Sequence, residues 1–414
     1  MPVRVALVRC TTYAPEQLKN AISMALNNIG SLAEVVKPGQ RVLLKINHLG
    51  SHPPEAAVTT HPAFLRAVVE LVREITDDIV VADGLSRPGL EGFTLSGILA
   101  MAREIGVELL NFKGNGYREV CKPTYEMVKS LPIAESALDA DVIITLPKLK
   151  THMLCLMTGA VKNNYGFLPE RLRVNLHGQL VYPQDFSNLV VDIFEARKPD
   201  LVIMDAVVAM EGTGPGSAGM PKKLGLVLAG RDSVAVDAVA SAVMGLDPKD
   251  VASTRHASRR GLGEADLSRI EIMGETLAAS RRTFRLPANR MLMDAVLARL
   301  PRPFVRVLQL VLRRMRECPR IVTTKCIGCG LCVEHCAEAA VTVVDGKAKI
   351  DYRKCIACFC CQEFCESDAV GTRRRPLGGV LTFAAWTRRA FGRKKKEKVE
   401  DISPPRHQDT KGNG

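Results

Sequence analysis

Cysteine dominates the chemistry available to this 414-residue chain, because Cys326-x2-Cys329-x2-Cys332-x3-Cys336 is repeated as Cys355-x2-Cys358-x2-Cys361-x3-Cys365. Thiolates are soft ligands that suit iron, and three of them at this spacing wrap one compact inorganic cube while a fourth arrives from elsewhere. The pattern predicts two 4Fe-4S clusters. Two clusters so near each other make a relay for single electrons, although clusters also serve as structural pieces. A pair of zinc knuckles would draw on the same residue type, but zinc sites rarely use a doubled four-cysteine run. The other five cysteines, Cys10, Cys121, Cys155, Cys318 and Cys360, follow no regular spacing. That fits cytosolic metal binding better than a disulfide framework.

The doubled run resembles the bacterial two-cluster ferredoxins, and the resemblance implies crossed ligation. Cys326, Cys329, Cys332 and Cys365 would hold one cluster, and Cys355, Cys358, Cys361 and Cys336 the other. Two departures bear on loop shape. Ala337 and Glu366 stand where a proline usually follows the fourth cysteine, and Cys360 adds a spare thiol.

A second group of reactive side chains follows apolar runs that read as buried strands, over 41–46, 79–82, 142–146, 201–204 and 224–229. Helix-period segments over 62–75, 95–105, 186–196 and 233–244 alternate with them. This alternation predicts an α/β fold, a mostly parallel sheet covered by helices. Ligands bind such sheets beyond the carboxyl ends of the strands. There the chain places Lys45, Asn47, His48 and His52, then Asp83, then Lys148, Lys150, His152 and Lys162, then Asp205 and Glu211. Each has a plain structural reading: Thr60 caps the helix behind Pro62, Asp83-Gly84 is a turn, and His61 is satisfied by backbone. Together they predict one site for a small phosphate or carboxylate, since lysines without interleaved aromatics suit nucleic acid poorly. Lys45, Asn47, Lys148, Lys150, Asp205 and Glu211 would bind the ligand, with Asp205 and Glu211 on the far side. His152, Lys162 and Asp83 would do the chemistry, His152 as general acid or base because its ordinary pKa lies near neutrality. Gly214 to Gly219 formally matches a dinucleotide fingerprint, but Pro215 interrupts it and another strand follows.

The combination of Thr59-Thr60-His61-Pro62, Pro147-Lys148-Leu149-Lys150-Thr151-His152, Lys162-Asn163-Asn164-x-Gly166 and Glu211-Gly212-x-Gly214-Pro215 resembles the family catalogued as domain of unknown function 362. The resemblance covers residues 1 to about 275 and implies just such a C-terminal ferredoxin module, with no assigned reaction. A fainter likeness is to nickel-pincer lactate racemase, through Asp83 to Arg87-Pro88 and the ordered His152, Lys162 and His177. It implies a proton-transfer base at His152, a lysine attached to a nucleotide cofactor at Lys162, and a metal ligand at His177.

The expected organisation is an α/β domain over 1–280, a basic amphipathic connector over 281–320, a small α+β two-cluster ferredoxin domain over 321–372, and a basic tail over 373–414. Residues 281–414 carry 28 Lys and Arg against 13 Asp and Glu, while residues 1–280 hold 29 against 31. An Arg-rich helix over 304–317 and a weaker one over 380–391 would suit the surface of an anionic membrane. Packing against the cluster domain is the alternative. No secretory leader or spanning segment is read, so a cytoplasmic protein, in peripheral contact with the inner face of a membrane, is expected. Two functions compete. One is a redox enzyme passing electrons to a small anionic substrate or cofactor. The other is a non-catalytic electron carrier or cluster scaffold for a partner enzyme.

Overall fold

The computed structural model describes residues 2–85, 89–180, 183–216, 218–287 and 317–374. Its central sheet runs through β1 (Val3–Arg9), β2 (Val42–Ile46), β3 (Ile79–Asp83), β4 (Glu108–Asn111), β7 (Val142–Leu146), β8 (Lys148–His152), β9 (Leu156–Thr158), β10 (Leu201–Gly212), β11 (Gly219–Gly230) and β12 (Ile270–Gly274). A separate hairpin joins β5 (Tyr117–Cys121) to β6 (Ser130–Ala134). Every residue of β2, β3 and β7 is buried, the signature of strands covered on both faces. The covering helices are α1 (Pro15–Asn28), α2 (Pro62–Arg73), α3 (Ile98–Ile105), α4 (Glu135–Asp139), α5 (Ala160–Asn163), α6 (Glu170–Gln179), α7 (Pro183–Ala196), α8 (Ser233–Val243), α9 (Ala252–Arg259) and α10 (Leu277–Ser280).

Strand order is β12-β1-β11-β10-β7-β2-β3-β4, parallel from β10 to β4. The chain moves outward from β2 to β3 and β4, while β7 pairs with the other side of β2. The order therefore reverses between β2 and β7, the place where ligands enter such sheets.

Two expectations change, and the glycine-rich segment behaves as expected. The short strands expected at 201–204 and 224–229 extend into the antiparallel pair β10 and β11, with a bulge between Ala206 and Val208. The glycine-rich segment is the turn of that hairpin and opens no helix. The polar run Lys148 to His152, expected beyond the end of the strand at 142–146, is itself strand β8 against β10, because buried partners from other elements meet its polar side chains.

The ferredoxin module starts and ends farther out than expected. β13 (Glu317–Ile321) pairs with β16 (Val370–Arg374), so residues 317–320 of the expected connector are sheet. Within lie α11 (Leu331–Glu334), the hairpin β14 (Val341–Val344) and β15 (Lys347–Ile350), and α12 (Cys360–Glu363). Residues 281–287 stay with the α/β domain, where the Arg282 N–H donates to Val243 O at 2.8 Å and the Gly212 N–H to Arg285 O at 2.7 Å. The amphipathic helices expected at 304–317 and 380–391 lie outside the described residues, apart from Glu317, which opens β13.

The cysteine repeat extends to the backbone. Left-handed φ values recur at matching positions, Gly328 with Ala357, Gly330 with Phe359, and Ala339 with Asp368. A left-handed L-residue costs on the order of 1 kcal/mol, which glycine avoids. Ala357→Gly should therefore raise the module's stability by about that amount, read as a later urea midpoint for loss of the visible cluster absorbance.

Candidate redox centre and the crevice beneath it

Each four-cysteine set lines its own cavity. Cys326, Cys329, Cys332 and Cys365 surround about 320 Å³. Cys336, Cys355, Cys358 and Cys361 surround about 350 Å³. These are the crossed sets that the resemblance to two-cluster ferredoxins implies. Among the described residues no three His, Cys, Asp or Glu side chains converge on a single metal position. Thiols spread round a cavity suit a cluster with one iron per thiolate, whereas a zinc knuckle draws four donors onto one point. Backbone N–H groups of Ala348, Ala369 and Ala340 donate to the sulfurs of Cys326, Cys365 and Cys336 at 3.3, 3.2 and 3.1 Å. Burial, then repulsion from neighbouring thiolates, pushes the Cys332 thiol up to about 11 and the Cys361 thiol well above its usual range. Such a donor set is completed by cations, and the residues present fit iron-sulfur clusters.

The module sits on α6. Phe364, Cys360 and Cys358 pack with Val174. The His335 Nε2 and Glu170 Oε1 atoms pair closely across the junction, and Lys113 Nζ bonds the other carboxylate oxygen at 2.8 Å. The His335 ring lies 4.0 Å from Phe364. Beside this junction is a crevice of about 430 Å³ shared by both parts, with His48, Ser51, Gly84 and Arg173 on one wall and Leu331, Phe364 and Glu366 on the other. The His52 Nδ1 atom lies 3.7 Å from the Asp368 carboxylate.

The cations expected to bind substrate are instead buried and matched internally. Lys45, 1% exposed, pairs with Asp83 at 2.8 Å and donates to Ile46 O at 2.7 Å. Asp83 also accepts the N–H groups of His48 and Gly84, both at 2.7 Å. Burial lowers the Lys45 pKa, and Asp83 opposes that fall. Lys148 pairs with Asp205 at 2.8 Å and donates to the Tyr13 hydroxyl at 2.7 Å, while that hydroxyl donates to Asp205 at 2.9 Å. Lys150 Nζ donates to Val58 O at 2.7 Å. Glu211, at the far end of β10, pairs with Lys222 at 2.7 Å. Asp205 and Glu211 thus each have their own cation, and neither is paired with Lys45 or Asp83.

The motif polar groups tie the switch point together. Thr60 Oγ1 donates to Leu146 O at 2.7 Å, and Asn163 Nδ2 donates to Lys45 O, Ile46 O and Thr145 Oγ1 at 3.3, 3.2 and 2.8 Å. The cap of α2 is His61, whose Nδ1 accepts the Ala63 N–H at 3.2 Å, and not Thr60. The Asn47 N–H donates to Thr60 Oγ1 at 2.9 Å, and its side-chain oxygen is buried without a hydrogen-bond partner among the described residues.

His152, Lys162 and His177 do come together. The His152 and His177 rings lie 6.1 Å apart, and Lys162 Nζ is 5.4 Å from the Tyr165 ring, itself 5.4 Å from His177. His152 Nδ1 accepts the Leu154 and Cys155 N–H groups at 2.9 and 3.1 Å. The neutral ring then carries its proton on Nε2. Burial, with Lys162 and Arg173 adding positive charge, holds His177 well below its usual pKa. Arg87 and Pro88 lie outside the described residues.

The motifs do not single out Arg173, Glu170, His335 or Tyr13. Arg173 donates to Gly84 O at 3.1 Å, and its Nε is buried with no hydrogen-bond partner among the described residues. The available signal was the position of His335, directly before Cys336 of the cysteine run.

An α/β domain with a topological switch, capped by a module with two four-thiol cavities, defines a two-part iron-sulfur protein. The chain belongs to the family described as Domain of unknown function (DUF362), matched over residues 42–242, and carries a 4Fe-4S binding domain matched over 319–340. It is 32% identical over 260 residues to thylakoid-associated protein sll1697 of a Synechocystis species, covering 62% of this chain and 79% of that relative. It is similar to the lactate racemase apoprotein from Thermoanaerobacterium thermosaccharolyticum, with 13% identity, a TM-score of 0.37, and 56% and 54% of the two chains covered. A protein from Thermotoga maritima aligns with 15% identity, a TM-score of 0.38, and 58% and 61% covered. These overlaps span under two thirds of either solved chain. None of the described helices is long and apolar enough to cross a membrane.

Two stability predictions follow from the buried charges. Removing one partner of a buried ion pair costs about 3–5 kcal/mol. Asp205→Ala should therefore destabilise the α/β domain by that order in urea unfolding followed by circular dichroism, and adding Lys148→Met should recover part of the loss. Burial holds His48 neutral, with its pKa lowered to about 4. The unfolded chain takes up that proton below about pH 6.5 and the folded chain does not, so stability falls as pH drops from 6.5 towards 4, by roughly 2 kcal/mol at pH 5. His52, His61 and His177 shift in the same direction. His48→Gln should flatten the pH slope by its own share, and an unchanged slope would contradict the assignment.

Proposed function

We propose that this protein is an iron-sulfur oxidoreductase that carries electrons through two 4Fe-4S clusters to a small anionic substrate or cofactor at the switch point of the α/β sheet. The observation that carries this reading is the shared crevice. The module's Phe364, Leu331 and Glu366 face His48 and Arg173 across it, so a ligand held there lies against the cluster domain. In this reading Arg173 and Lys162 supply the positive charge for the anion, since Lys45, Lys148 and Lys150 are engaged elsewhere. Neutral His48, whose Nε2 is buried without a partner among the described residues, supplies a hydrogen bond. Asp83 orders the wall by fixing Lys45, His48 and Gly84. His152 is the proton-handling group beside Lys162. When bound, the clusters supply single-electron chemistry, and Cys326, Cys329, Cys332, Cys365, Cys336, Cys355, Cys358 and Cys361 hold them.

The internal pairing of Lys45, Lys148 and Lys150 favours a second reading, in which the α/β domain only docks and the protein is an electron carrier or cluster scaffold for a partner enzyme. Iron content and ligand retention separate the readings. Anaerobically purified protein should hold about eight irons per chain. Cys326→Ala and Cys336→Ala should each lose about half, because they belong to different cavities. The denatured holoprotein should release a bound anionic small molecule in about equal stoichiometry, and Lys162→Ala or Arg173→Met should lose it with iron unchanged. A ligand-free holoprotein that co-purifies with a partner enzyme would contradict the enzyme reading.

A further inference from the structure

We infer that the outward face of the ferredoxin module, formed by the loop at Lys325 to Gly330 and the tip of the β14–β15 hairpin, docks an acidic one-electron carrier protein. This rests on the reading that the cysteine cavities hold clusters. Loop and hairpin form one surface. Lys347 Nζ donates to Cys326 O at 2.6 Å, and a Cβ on Gly328 would lie 2.4 Å from Gly346 O. In the loop Ile327 is 68% exposed, and in the hairpin Val343 and Val344, on its two faces, are each 39% exposed. Among the described residues the other large exposed hydrophobics, Met24, Leu95 and Met220, belong to the α/β domain.

The two cysteine sets differ in how they meet solvent. Cys329 is exposed, whereas Cys358 of the other set packs beside Val174 of α6. A protein seated on Ile327 therefore comes within reach of a ligand cysteine without displacing any described part of the chain. Charge indicates which protein. Exposed Lys325, Lys347 and Lys349 accompany the apolar centre, against Asp345 at the hairpin tip, 3.9 Å from Lys349. On the inward side stand the carboxylates Glu366 and Asp368, facing the crevice and His52. An apolar centre with a cationic rim is complementary to an acidic partner, and rim charges act mainly on encounter rate and orientation. The transfer balances simply: one electron leaves the reduced carrier, which is oxidised by one, and arrives at the cluster of the Cys329 set, with no bond or proton exchanged.

Anaerobic calorimetry of the iron-loaded full chain with an acidic flavodoxin, repeated at rising salt, tests the surface. Wild type should bind and weaken roughly tenfold or more across the series. Ile327→Asp and the double variant Lys325→Glu, Lys349→Glu should each weaken low-salt binding about tenfold, with iron content and reduction by dithionite unchanged. Equal affinities for wild type and both variants would overturn the docking surface alone. Binding that requires removal of residues 375–414 would overturn it too, since the tail would then be its occupant. A wild type without iron would strike the cluster reading instead.

Discussion

A lysine ammonium buried in an α/β sheet must be matched by a carboxylate, and the match between Lys45 and Asp83 organises everything around the crevice. The two oxygens of Asp83 hold the ammonium and also the N–H groups of His48 and Gly84. These residues form one wall of the crevice. The Gly84 carbonyl in turn anchors Arg173, and Arg173 belongs to α6, which carries Glu170 and Val174. Those two side chains meet His335 and the α12 segment of the cluster module. The seat of the redox module is thus built outward from one ion pair at the end of β3. An unmatched charge at its origin would cost several kcal/mol.

The same physics explains why the sheet edge is rich in cations and still offers few of them to a ligand. Lys45, Lys148 and Lys150 are essentially inaccessible and each has a partner at about hydrogen-bond length. Isolated buried ammoniums would shed their protons instead. Their partners come from β3, β10 and the segment before α2, so each pair ties β2 or β8 to another part of the domain. Among the polar groups of the candidate site Arg173 and Lys162 are half-buried, while His48, His152 and His177 are buried.

The two cysteine sets were legible in the sequence because their information is local: three cysteines of each set lie within seven residues, and the two cavities group the cysteines as the crossed scheme does. β2, β3 and β7 were legible because a strand buried on both faces is apolar throughout. β8 was not. Its Lys148, Lys150 and His152 share one face by strand alternation, a polar face whose burial depends on Asp205, 57 residues away, and on Val58. Arg173 and Glu170 were equally silent, since their partners Gly84 and His335 lie 89 and 165 positions away. Side chains that act through distant partners leave no spacing to read.

The central claim is that the cluster module and the switch-point crevice form one unit joined at α6. Hydrogen–deuterium exchange on the anaerobic holoprotein and on the same chain stripped of iron tests it most directly, because a cluster domain loses its fold with its metal. The account predicts faster exchange without iron at residues 48–51, 84–85 and 170–177, with β12 at the opposite edge of the sheet unchanged. Identical exchange across the whole α/β domain in the two states would contradict it.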